Sequence, residues 1–130
     1  MYCLDTNIIV DIFRGDEGLR GKVSKVVDSG AEIFISSISL CELFKGAFAH
    51  SKKDEKINQI RSFISNCNLI DLNIDSCEEF GKSYYNLDRM GKKVPEFDLM
   101  IASIVKANGL ILVTRDKKHF ENLGIKIEVW

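Results

Sequence analysis

Four carboxylates carry the chemical interest of this sequence: Asp5, Glu42, Asp98 and Asp116. Asp5 directly follows the apolar segment Tyr2–Leu4, and Asp116 comes just after Leu110–Val113. Glu42 falls in the first turn of a helix opened by Ser39, and Asp98 in the first turn of one that begins at Pro95. Carboxylates gathered in one place repel one another and raise their own pKa values, a conflict that a divalent cation removes. Hard oxygen donors with no His or Cys among them favour Mg²⁺ or Mn²⁺ over zinc. Such ions activate water and neutralise charge at a phosphorus under in-line attack, so the chemistry on offer is phosphodiester hydrolysis.

Each acid also has a purely structural use. Asp5 suits a helix N-cap, and Glu42 stands at capping-box spacing from Ser39. Asp98 favours the dipole of its helix, and Asp116 fits a turn between a strand and a short helix. The weight of the set lies in where the elements place it.

Apolar runs and helical patterns alternate along the chain. Strands are expected at Tyr2–Leu4, Glu32–Ser36, Leu69–Leu72, Leu110–Val113 and Ile125–Trp130. Between them Ile8, Ile9, Ile12 and Phe13 recur at helical spacing up to Gly15, and Leu19, Val23, Val26 and Val27 do so up to Gly30. Leu40, Leu43, Phe44, Ala47 and Phe48 mark the Ser39 helix, a face wide enough to hint at a docking surface but better read as core. The polar stretch His50–Lys56 ends it, and Ile57, Ile60 and Ile64 mark the next. Cys77, Phe80, Tyr84 and Leu87 give a long helix closed by Gly91 and the basic loop Lys92-Lys93, and the helix from Pro95 runs to Gly109.

Strands separated by helices imply a parallel sheet covered on both faces, an α/β class three-layer α/β/α sandwich. No linker or repeat divides the chain, so residues 1–130 read as one domain. Ligands of such sheets bind beyond the carboxyl ends of the strands. Asp5 and Asp116 follow strands directly, and the helices carrying Glu42 and Asp98 start at that same edge, so all four are expected there.

Hydrophobic residues make up 45% and charged residues 28% of the chain, an ordinary globular balance. The strand pattern directly after Met1, with no basic n-region or cleavage site, argues against a signal peptide. The apolar runs fall far short of the roughly 20 residues a membrane span needs, so a soluble, cytoplasmic protein is expected. Cys3, Cys41, Cys67 and Cys77 include no C-x-x-C pair and sit among apolar neighbours, which predicts reduced core thiols. A net charge of −1 does not advertise a nucleic-acid binder, but with four acids committed to a metal the remainder carries a modest basic excess.

Leu4-Asp5-Thr6-Asn7, Cys41-Glu42-Leu43 followed by Gly46, Asp98-Leu99-Met100-Ile101-Ala102 and Thr114-Arg115-Asp116-Lys117-Lys118-His119-Phe120 occur in that order. The set resembles the PIN-domain ribonucleases over essentially the whole chain, and most closely the single-domain VapC-type toxins of prokaryotic toxin–antitoxin pairs. The resemblance implies strand order 3-2-1-4-5 and a Mg²⁺ or Mn²⁺ site built from Asp5, Glu42, Asp98 and Asp116, with Asn7 and Thr114 as supporting polar groups. It also implies an RNA substrate, a small antitoxin partner and a homodimer. The fourth acidic position is often Asn in such toxins, so Asp116 favours a second metal ion, and Glu96 is a candidate outer acid. Arg115, Lys117 and Lys118 flank Asp116 and are candidate phosphate contacts, of the kind that orient nucleic acid without reading sequence. Lys45, Lys52, Lys53 and Lys56 read as surface.

Other classes fit less well. A haloacid-dehalogenase-like phosphatase wants D-x-D after the first strand, where this chain has Asn7. A receiver domain wants paired acids there and a late lysine, and no G-x-G-x-x-G or G-x-x-x-x-G-K-[ST] loop occurs. The two histidines, His50 and His119, lie far apart, against a two-histidine nuclease mechanism. A non-catalytic PIN scaffold that binds RNA or protein is the remaining alternative.

Overall fold

Strand β1 (Tyr2–Leu4) runs between β2 (Ile33–Ser36) and β4 (Ile111–Val113), with β3 (Asn68–Ile70) and β5 (Lys126–Glu128) outside them. In the computed structural model, which describes residues 1–130, every pairing is parallel and the order is β3-β2-β1-β4-β5, as expected. Register fixes the working edge. Leu4 pairs with both Ile35 and Val113, so Asp5, Ser36 and Thr114 emerge side by side where the three strands end.

Alternation along the strands divides the core. Leu4, Ile35 and Val113 pack with Ile8, Ile9 and Ile12 of α1 (Thr6–Phe13), Leu19 of α2 (Glu17–Asp28), Leu43 and Ala47 of α3 (Ser37–Phe48) and Ile60 of α4 (Lys53–Ile64). On the opposite face, Cys3 and Leu112 pack with Leu87 of α5 (Ile74–Arg89), four residues of α6 (Glu96–Ala107) and Phe120 of α7 (Lys117–Phe120). α6 has five consecutive buried residues, Ile101–Val105, so it is wrapped almost all round. No helix is long and apolar enough to cross a membrane.

Several boundaries differ from expectation, each for a local reason. α3 starts at Ser37, because Ser36 at the end of β2 takes the cap and accepts from Ser39 N at 3.0 Å. Ser39 is therefore inside the helix and buried, and Glu42 sits in the second turn rather than the first. α4 starts at Lys53, with Asp54 and Glu55 in its first turn, where acids favour a helix start. β3 ends at Ile70, since the chain must turn for Asn73, whose side chain and Ser76 form a capping box for α5. Of the cysteines expected in the core, Cys3 is buried and Cys67 half-buried, whereas Cys41 and Cys77 fall on outward positions of α3 and α5 and are exposed. All four are free thiols.

Candidate active site

Asp5 is the fixed point of the site. It ends β1 in an extended conformation and caps α1, so its backbone is held by sheet and helix at once; its own N–H donates to the Val113 carbonyl at 2.9 Å. The side chain is only 4% exposed. Oδ1 accepts from Thr6 N and Oδ2 from Thr114 Oγ1, both at 2.8 Å. The capping use and the site use of Asp5 thus coexist, one on each oxygen.

The other three acids join through intermediaries. Thr6 Oγ1 donates to Glu42 Oε1 at 2.8 Å. Thr114, fully buried, accepts from Asp116 N at 3.0 Å while it donates to Asp5. Asp116 then stands 2.9 Å (Oδ2) from His119 Nδ1, and the same nitrogen lies 3.1 Å from Asp98 Oδ2. This one ring nitrogen stands between the two carboxylates, within hydrogen-bond distance of each. One continuous chain of contacts therefore links Glu42, Asp5, Asp116 and Asp98 at the carboxyl edge. The acids meet through these links and do not already form a cage of three or more His, Cys, Asp or Glu groups.

The electrostatics follow from the burial. Desolvation pushes the Asp5 carboxyl up to about 6; hydrogen bonds from Thr114 and Thr6 oppose the rise, and the charges of Asp98 and Glu42 add to it. Asp98 is raised as well, by partial burial first, with His119 holding it down and Asp116 pushing it up. A pocket that raises the pKa of its own acids favours any cation that enters.

Residues 2–126 match the PIN domain family. The chain belongs to the PIN domain family. It is similar to ribonuclease VapC2 of Haemophilus influenzae, with 28% identity over 99% of this chain and 97% of that one. It is 31% identical to the tRNA(fMet)-specific endonuclease VapC of Shigella flexneri, over 99% of this chain and 97% of the relative. Among solved structures it is similar to VapBC2 of Rickettsia felis bound to a promoter DNA fragment (TM-score 0.93, 29% identity, covering 99% of this chain and 98% of that one). DNA-bound VapBC of Salmonella typhimurium gives a TM-score of 0.92 at 30% identity, covering 99% of this chain and 97% of that one.

PIN-domain ribonucleases generally depend on a divalent metal. The donor set here suits such an ion: four carboxylates, the buried one carrying a raised pKa, and no thiol among them. Around this PIN edge the remaining sequence candidates divide. Asn7 is exposed on α1, and its neighbour Thr6 makes the contact to Glu42. Arg115 is engaged elsewhere: Nη1 meets Asp11 Oδ2 and Nη2 meets Asp16 Oδ2, both at 2.9 Å, and Nε donates to the Trp130 carbonyl at 3.0 Å. It staples the turn bearing Thr114 and Asp116 to α1 and to the start of α2. Lys117 and Lys118 are exposed on α7. Glu96 is exposed and borders a cleft with Tyr84, Asp88 and Lys92. His119 is the participant that sequence reasoning undervalued; its one signal was the three-residue spacing from Asp116 on a short helix.

Proposed function

We propose that this PIN protein is a Mg²⁺- or Mn²⁺-dependent endoribonuclease and the toxin of a toxin–antitoxin pair. The observation that carries the reading is the contact chain through Thr6, Thr114 and His119, which joins Asp5, Glu42, Asp98 and Asp116 at one sheet edge. These four acids would hold the ion, and the ion, when bound, supplies charge neutralisation at the scissile phosphate and a water of lowered pKa. Asp5 is fixed by two hydrogen bonds, Thr6 aims Glu42, and His119 aims Asp98 and Asp116 together. His50 is exposed and donates nothing to this edge, so attack by the ribose 2′-hydroxyl lacks a histidine pair to serve as base and acid.

The relatives support the rest. VapC2 of H. influenzae is named a ribonuclease and VapC of S. flexneri a tRNA(fMet)-specific endonuclease, so RNA is the substrate class and tRNA the first substrate to try. The solved VapBC complexes support a small antitoxin as partner, and we infer a homodimer on the same family grounds. Four free cysteines suit a reducing cytoplasm.

The test is cleavage of RNA by purified protein with Mn²⁺, set against Asp5→Asn. Hydrolysis by water leaves a 5′-phosphate and a 3′-hydroxyl, abolished by EDTA and restored by Mn²⁺. Activity in EDTA, 2′,3′-cyclic phosphate ends, or an equally active Asp5→Asn would refute the mechanism. A protein that binds RNA and never cuts it would return the non-catalytic scaffold.

A further inference from the structure

The loop from α5 to α6 and the short helix α7 border an open cavity of about 230 Å³ that shares His119 with the acid cluster. Lys92, Lys93 and Lys118 line it, with Asn122 as a neutral hydrogen-bonding group and Pro95 in the apolar part of the wall. No carboxylate lines it. Lys92 and Lys93 also border the cleft that holds Asp88 and Glu96, yet neither forms an ion pair there. Lys118 is likewise without an ion-pair partner in the chain, whereas Arg115 and Lys106 are both committed.

Three lysines bordering one concavity with no carboxylate in its wall make a place that favours an anion. The position of the cavity says which anion. Its wall includes His119, whose imidazole touches Asp98 and Asp116, so a polyanion lying over the acids passes on to the lysines. We propose that this cavity binds a backbone phosphodiester of an RNA strand that lies across the acid cluster. The inference rests on the ribonuclease reading and adds a subsite to it: a sequence-independent grip that sets the strand's path across the acids. Lysine point charges suit such a role, since phosphate contacts position nucleic acid without reading bases. A cationic subsite beside an acidic one also explains how a chain of net charge −1 holds RNA.

The experiment uses the full chain carrying Asp5→Asn, so that the probe survives. Binding of a fluorescent single-stranded RNA oligonucleotide is titrated from about 50 to 200 mM salt, with and without Lys92→Gln/Lys93→Gln/Lys118→Gln. Loss of three contacts at about 0.7 each lowers the log–log salt slope by about 2 and weakens binding roughly tenfold or more at about 0.1 M salt. A control of equal charge, Lys25→Gln/Lys52→Gln/Lys53→Gln, is expected to change both far less, and circular dichroism confirms that both triple variants fold. Unchanged affinity and slope, or an equal loss in the control, would overturn the proposal. So would lysine-dependent binding of poly-L-glutamate with RNA binding untouched, which would give the cavity to an acidic protein segment. Cleavage by the chain with Asp5 intact is scored separately. Lysine-dependent binding without any cleavage would sink the ribonuclease reading alone, and cleavage with lysine-independent binding would sink this one alone.

Discussion

Thr114→Val tests the centre of the site without touching an acid. The replacement is nearly isosteric, and Thr114 is fully buried, so little but the hydroxyl changes. That hydroxyl donates to Asp5 Oδ2 at 2.8 Å and accepts from Asp116 N at 3.0 Å. A hydrogen bond to a charged group contributes about 1.5–3 kcal/mol and a neutral one about 1, so the loss comes to about 3 kcal/mol at neutral pH. Thr114→Ser keeps both bonds and removes one buried methyl, a cost of about 1 kcal/mol. Urea unfolding of the three proteins in EDTA measures the difference. The sign of its pH dependence is also fixed. The Thr114 bond favours ionised Asp5, so its loss lifts the Asp5 pKa further above about 6; the cost of Val is full above that lifted value and shrinks as pH falls through it to about 5. Equal losses for Val and Ser, or a Val loss that does not change between about pH 5 and 8, would refute this account of how Asp5 is held.

Three further outcomes are expected. Asp5 has a folded pKa raised to about 6 from 3.8, so the metal-free protein binds its proton more tightly than the unfolded chain does; the stability this gives is full below the unfolded value and lost as pH rises through about 6. Unfolding in EDTA should therefore show a gain of about 1 kcal/mol from pH about 7.5 to 5, and Asp5→Asn should flatten that gain. Mg²⁺ should raise the melting temperature by mass action, and Asp98→Asn should raise the metal-free value while abolishing the metal response; a variant equally destabilised with and without Mg²⁺ would make Asp98 a helix-start residue only. Thiol alkylation of the native protein, followed by mass spectrometry, should modify Cys41 and Cys77 fast and Cys67 slowly, and should spare Cys3, which is buried and has its thiol pushed up to about 12.

The order of elements and the edge that carries the acids were legible because apolar runs and helical spacing alternate cleanly, and because Asp5 follows its strand without a spacer. Where the sequence offered two equivalent signals it misled. Ser36 and Ser39 are both good caps three residues apart, and only the alignment of β2 with β1 makes Ser36 the one at the helix start. That shift removes the capping-box reading of Glu42 and leaves its carboxylate to Thr6. Arg115 looked free beside Asp116, yet its partners lie 104 and 99 residues away, at Asp11 and Asp16, a pairing that no local pattern encodes. His119 joins Asp98 only because α7 packs on α6. Outward positions for Cys41 and Cys77 were likewise hidden, since apolar neighbours in sequence do not say which way a helical residue faces.

The central position of β1 sets a timetable. Its two neighbours are β2, made early, and β4, made more than a hundred residues later; only when β4 arrives does Thr114 reach Asp5 and bring Asp116 and His119 with it. Pairings this distant along the chain form late. An unfinished chain emerging from the ribosome thus carries Asp5 and Glu42 without their counterparts, and a cell that makes this protein meets the assembled site only after β4 and α7 have been made.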